Sequence, residues 1–183
     1  MRRGFKAEAE RLSVGARADL GLGPFDRLCP WAFAGHLGVA VLDFSKLALG
    51  PKDRNQLLEV DPDSWSGMTI RESGLTAMIL NPVHPASRQC STLMHEVAHF
   101  VLNHVPVRVD VSPTGLLLLS DYSDEQEAEA DWLGAALLVP RDALLAKRRS
   151  GDSVSHIAHD FGVSEQLCRW RLRMTGIDRQ LGR

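Results

Sequence analysis

The chain opens on a helical period. Phe5, Ala9, Leu12, Ala16 and Leu20 recur at spacings of three and four, which predicts an amphipathic helix over residues 5–20. Gly21-Leu22-Gly23-Pro24 ends it. Asp26 stands where it can cap a second helix reaching about Leu37, with Leu28, Trp31, Ala32 and Phe33 apolar. Gly38 stops that helix, and Val39–Leu42 reads as a short apolar strand. A short helix is expected from Lys52 to Leu58. Asp61-Pro62-Asp63-Ser64 is loop chemistry. Met68–Ile70 and Leu75–Leu80 read as two strands joined by a turn at Arg71–Gly74. Pro82 and Pro85 then break the sheet, since proline cannot donate to a ladder.

The pattern changes after that break. A long helix is expected from a cap at Ser87 to about His104, with Pro106 ending it. Residues 107–113 read as irregular or briefly extended, and Leu116–Leu119 as a short strand or lid. Ser123 and Gln126 have the spacing of a capping box, which starts another long helix running to Val139-Pro140. Three shorter helices follow: about 141–149, 154–161 and 164–174. The last two are joined by Gly162-Val163, with Ser164 as N-cap.

Chemistry enters on the first long helix as His95-Glu96-Val97-Ala98-His99. Residues four apart share a helix face, so two imidazoles aim at one point, a spacing that suits Zn²⁺. Glu96 beside the first histidine is placed to hold a water and take its proton. The second long helix carries Glu127 and Asp131, also four apart. One of these acids can complete a three-ligand set while the other accepts a hydrogen bond from a histidine's distal nitrogen. Glu129 falls about 200° round the helix from Glu127 and is expected to face solvent. The bland alternative is two satisfied core histidines and no metal. His104, His84, His36, His156 and His159 lack ligand spacing and read as surface or hydrogen-bonded residues. Tyr122, the single tyrosine, is a candidate donor to a developing oxyanion or else an amphipathic surface residue.

Composition narrows this little. A chain of 183 residues with 44% hydrophobic content fits one domain, or one with a small appendage. We divide it at 1–140 and 141–183, the latter a helical tail. Net charge is −2, but residues 141–183 hold 9 basic against 5 acidic residues (+4) and residues 1–140 hold 12 against 18 (−6). The tail resembles a helix-turn-helix. Arg169, Arg171 and Arg173 could meet DNA there, within 153–175, or the pair could simply pack on the domain. The arginines point to different faces, which favours packing. Three cysteines without a C-x-x-C pair argue for a reducing compartment, and Cys90 reads as a small core residue. Neither a leader nor an 18-residue apolar run is seen, so a cytoplasmic chain without membrane contact is expected.

Together the motifs carry a resemblance. His95-Glu-Val-Ala-His99, Glu127-x-Glu-Ala-Asp131, Ala135-Ala-Leu-Leu-Val-Pro140 and the tail Phe161-Gly-Val-Ser-x₄-Arg169-x-Arg-Leu172 resemble the ImmA/IrrE family of prokaryotic metallo-endopeptidases. The likeness runs from about Leu37 to Gly176. It implies an α+β, zincin-like (gluzincin-type) fold, with a small antiparallel or mixed sheet on the active helix. It implies zinc on His95, His99 and Glu127, with manganese as the alternative, and Glu96 as general base. It also implies cleavage of a partner transcriptional repressor of the Xre type, derepressing stress or mobile-element genes. This chain has Leu133-Gly134 where the family often has an aromatic-Ala pair, and Val139 where Met is common; both are packing positions. The competing reading is a non-catalytic metal-binding regulatory module that binds a repressor or DNA through its tail.

Overall fold

A computed structural model describes residues 1–72, 74–111 and 117–182. Ser73 of the expected hairpin turn, and residues 112–116 with the first leucine of the Leu116–Leu119 run, lie outside the described residues. The elements follow as α1 (Phe5–Asp19), α2 (Pro30–His36), β1 (Val39–Leu42), α3 (Pro51–Asn55), β2 (Gly67–Glu72), β3 (Leu75–Leu80), α4 (Ala86–Val101), β4 (Arg108–Val111), β5 (Leu117–Ser120), α5 (Asp124–Leu138), α6 (Arg141–Arg149), α7 (Val154–Phe161), α8 (Glu165–Thr175) and α9 (Ile177–Gln180). The fold is α+β. Five strands in the order β1-β3-β2-β5-β4 form a mixed sheet, with β1 parallel to β3 and the other pairs antiparallel. This small sheet, the helix carrying His-Glu-x-x-His and the helical tail agree with a zincin-like architecture.

Several boundaries depart from expectation; β2, for one, continues through Arg71 and Glu72, which were expected in the turn. Asp26 does not cap α2: its carboxylate accepts from Gly23 N, while α2 starts after Cys29 with Pro30 in the first turn, where no N–H is needed. Ser87 lies inside α4, which starts after Pro85 without a side-chain cap. That helix also stops early. Leu102 is its C-cap and Asn103 takes a left-handed backbone (φ 51), a conformation asparagine tolerates, so the chain turns back at His104. The capping box does form, with Ser123 Oγ accepting from Gln126 N and Gln126 Oε1 accepting from Ser123 N. Ser164 caps α8 by accepting from Leu167 N.

Helix α5 is the central rod. It packs on α4 along one side and on α1 along another. Its residues from Trp132 to Leu138 are all buried, with no solvent face. The approach to α4 is close because position 134 is glycine. A Cβ there would lie 3.0 Å from Met94 O and 3.2 Å from His95 N. At the far end of α5 the last carbonyls have no intrahelical partner. Ser13 Oγ donates to Ala136 O at 2.7 Å, Arg17 Nη2 to Leu137 O at 2.8 Å, and Arg171 Nε to Val139 O at 3.1 Å. Arg171, fully buried, is also paired with Glu10 at 2.6 Å. Thus α8 lies on α5, with Trp170 edge-on to Trp132. Of the three tail arginines weighed for DNA, Arg171 faces the core, Arg169 pairs with Glu165, and Arg173 is exposed.

Candidate metal centre

Where α4 meets the first turns of α5, three of the expected residues converge. His95 Nε2 lies 3.1 Å from His99 Nε2 and 3.1 Å from a Glu127 carboxylate oxygen, and His99 Nε2 lies 3.7 Å from the other Glu127 oxygen. The (i, i+4) spacing supplies the two imidazoles, and the capping box fixes the start of α5 so that Glu127 falls one turn in. One ligand atom from each residue fits within 4.8 Å of the others. Tetrahedral coordination with bonds of about 2.05 Å places ligand atoms roughly 3.3 Å apart, so these separations fit a metal of that size.

The donor inventory points the same way. Asp131 Oδ1 is 3.0 Å from His95 Nδ1, so that nitrogen carries the proton and Nε2 presents a lone pair. A lone pair and a carboxylate at hydrogen-bond distance are two acceptors. Only a proton or a cation between them makes the arrangement favourable. Burial works against a charge on His95, but the Asp131 bond and the neighbouring Glu96 and Glu127 outweigh it and raise its pKa. His99 is 3% exposed; burial, then the charge of its His95 and His104 neighbours, pushes it down to about 3, so it is neutral near pH 7.

Glu96 stands beside this cluster. Thr69 of β2 donates its hydroxyl to Glu96 Oε2 at 2.5 Å. Burial pushes the Glu96 carboxyl above its usual range, against the Thr69 bond and His95. No feature of the β2 sequence marks Thr69 for this place.

A family comparison can now be set beside the geometry. The family model for the IrrE N-terminal-like domain of the M78 peptidases matches residues 67–173, more than half of the chain and all of β2 to α5. The chain belongs to the M78 peptidase family. No curated protein matches it. The M78 assignment gives the metallopeptidase class, and the three converging residues are the group that could hold its metal. Among the described residues, no helix is long and apolar enough to cross a membrane.

Around this candidate centre, one residue sits where the sequence did not put it. Glu129 does not face solvent. It is 3% exposed and accepts from Arg2 N at 2.7 Å and Arg2 Nε at 3.0 Å. The helix face opposite Glu127 is covered by the N-terminal segment, so a 200° rotation leads into protein, not water. His104 is likewise inside, its Nδ1 3.0 Å from His99 Nδ1. Of the two readings given for it, surface or hydrogen-bonded, the second holds, and it reaches His99 because α4 has already ended. Tyr122 lies flat on the His99 ring, centroids 3.7 Å apart, and burial, followed by Glu96 and Glu127, raises its pKa to about 12. Its hydroxyl therefore keeps its proton. His36, His156 and His159 are exposed, and His84 is buried 3.7 Å from Asp63.

Proposed function

We propose that the chain is a metal-dependent endopeptidase whose centre is His95, His99 and Glu127, with zinc the expected ion and manganese the alternative. The observation that carries this is the convergence of these three acceptors, with Glu96 next to them on the same helix. A divalent cation held there supplies Lewis acidity to a peptide carbonyl and to water.

The chain's own groups then have distinct work. Glu96 accepts a proton from the attacking water and delivers it to the leaving amine. Its raised pKa brings the carboxyl closer to working pH, which favours transfer in both directions. Thr69 fixes one oxygen of that carboxylate. Asp131 holds His95 in the tautomer that offers Nε2 to the metal. Tyr122, protonated and against His99, is the candidate donor to the oxyanion formed at the carbonyl.

For the substrate, the family resemblance supports a partner transcriptional repressor of the Xre type, with derepression of stress or mobile-element genes as the outcome. A cytoplasmic setting fits such a partner. DNA contact through 153–175 is not part of the proposal, since Arg171 is engaged with Glu10 and Val139. The test is incubation of the purified chain plus zinc with a co-encoded Xre-type repressor, read by gel and mass spectrometry, beside Glu96→Gln. A single new cleavage product is expected, slowed about 10²–10⁴-fold in the variant, whose metal content stays the same. Repressor regulation that persists in Glu96→Gln would instead identify a non-catalytic metal-binding module.

A further inference from the structure

The α7–α8 pair resembles a helix-turn-helix, yet the proposed chemistry gives it no task. Its second helix carries Gln166, Arg169, Trp170 and Arg173 at positions i, i+3, i+4 and i+7, one face of a helix. In a DNA-binding hairpin such a face lies open to the major groove. Here it forms a wall of a groove of about 670 Å³, which Asp131 lines from α5. Asp131 ties that groove to the candidate metal centre. Its Oδ1 is 3.0 Å from His95 Nδ1, and its side chain is 66% exposed. The groove thus begins directly behind a proposed ligand, one turn along α5 from Glu127.

Charge decides what the groove can take. Two cations and one acid line it. Asp131 is engaged with His95, and Arg169 with Glu165 at 2.6 Å. Arg173 is exposed and, among the described residues, makes no ion pair. Trp170, half-buried and edge-on to Trp132, adds an apolar ledge. Duplex DNA carries a charge about every 1.7 Å, so it meets repulsion at Asp131 wherever it lies. A polypeptide has a choice. It can lay neutral backbone past Asp131 and Trp170 and set a single carboxylate against Arg173. From Gln166 to Arg173 the stripe runs roughly 10 Å, which about three extended residues cover.

We infer that this face of α8 is the substrate-reading wall of the candidate peptidase, selecting a polypeptide with an acidic side chain a few residues from the bond to be cut. The inference deepens the endopeptidase reading and rests on it. Arg173 is the main specificity-determining residue, Arg169 the second, and Trp170 the ledge between them and α5.

The experiment digests a proteome-derived peptide library with the zinc-loaded chain and reads the cleaved bonds by mass spectrometry. Asp or Glu should be enriched at one or two positions within about five residues of the bond, on one side only. One peptide from that set then gives kinetics. Arg173→Glu should lower kcat/KM about 10-fold, through KM and not kcat. The loss should shrink as sodium chloride is added, because the pair lies at the surface. Exchanging the peptide's acid for Lys should restore Arg173→Glu and impair the unaltered chain, a reversal that misfolding cannot produce. Arg169→Glu should act the same way more weakly, since its cation is already shared with Glu165. Cleavage with no acidic preference, unaltered by either substitution, would overturn the inference and leave the endopeptidase reading intact. So would a labelled mixed-sequence duplex that binds the unaltered chain and is released by Arg173→Glu, since the stripe would then read DNA. If neither the library nor the co-encoded repressor is cut, the endopeptidase reading falls and the inference with it.

Discussion

The two ends of α5 solve opposite problems with the same kinds of atom. At the C-terminal end, backbone carbonyls need donors, and the protein provides them: Ser13, Arg17 and Arg171 each reach in from a neighbouring helix. Near the N-terminal end, Glu127 and two imidazole nitrogens gather with no lysine, arginine or backbone donor to them among the described residues. On the other side of that same end, Glu129 does have its cation, Arg2. Buried charge with a built-in partner holds elements together. A cluster of acceptors left for something else to complete is where a ligand belongs. The contrast separates the structural arginines of this chain from its candidate metal centre better than residue type does.

Three substitutions sharpen that contrast. Arg171→Ala strips a donor from the matched end, orphans Val139 O and leaves Glu10 only the Arg141 N–H; a loss of about 3 kcal/mol is expected in chemical denaturation. A loss under about 1 kcal/mol would mean that this end tolerates orphans after all. Gly134→Ala forces a methyl group against the α4 backbone beside His95, and should cost about 1–3 kcal/mol. It should also weaken metal binding, which a calorimetric titration against Arg171→Ala would separate from the stability loss. Glu127→Gln at the open end is expected to change metal-free stability by less than about 0.5 kcal/mol near neutral pH, because its side chain is 42% exposed and, among the described residues, pairs with no lysine or arginine. Elemental mass spectrometry should nevertheless find its metal gone. A large stability loss in Glu127→Gln would mean that the cluster is closed by the fold itself.

Much of this was legible in order of periodicity. His95, Glu96 and His99 announce themselves by spacing alone, and Glu127 with Asp131 by a shared helix face behind a capping box. The structure brings all five together. The helices α6, α7 and α8 fall within a residue of expectation because serine caps, glycine turns and proline stops mark their ends. What failed did so where an element's surroundings, not its own period, decide. Glu129 was sent to solvent by a helical wheel, yet the run Trp132–Leu138 is apolar all round, a sign that α5 has no wet face beyond its first turns. The end of α4 was expected about one turn late, near His104; Asn103 before Pro106 was the available hint. Arg2 and Thr69 reach the centre through tertiary contacts alone, and nothing in their local sequence foretells it.

The bare approach at Gly134 also has a mechanical meaning. With backbone against side-chain-free backbone, α4 and α5 are at closest approach here, so Gly134 fixes the point about which the angle between them is measured. Glu127 lies seven residues away, roughly 10 Å along the rod at 1.5 Å per residue. Over that arm, a tilt of about 10° carries its carboxylate ~1.8 Å, close to the length of one metal–ligand bond. The distance of the proposed third ligand from the two histidines is therefore set by the angle at which α5 is held on α4, an angle that the missing methyl group at Gly134 permits.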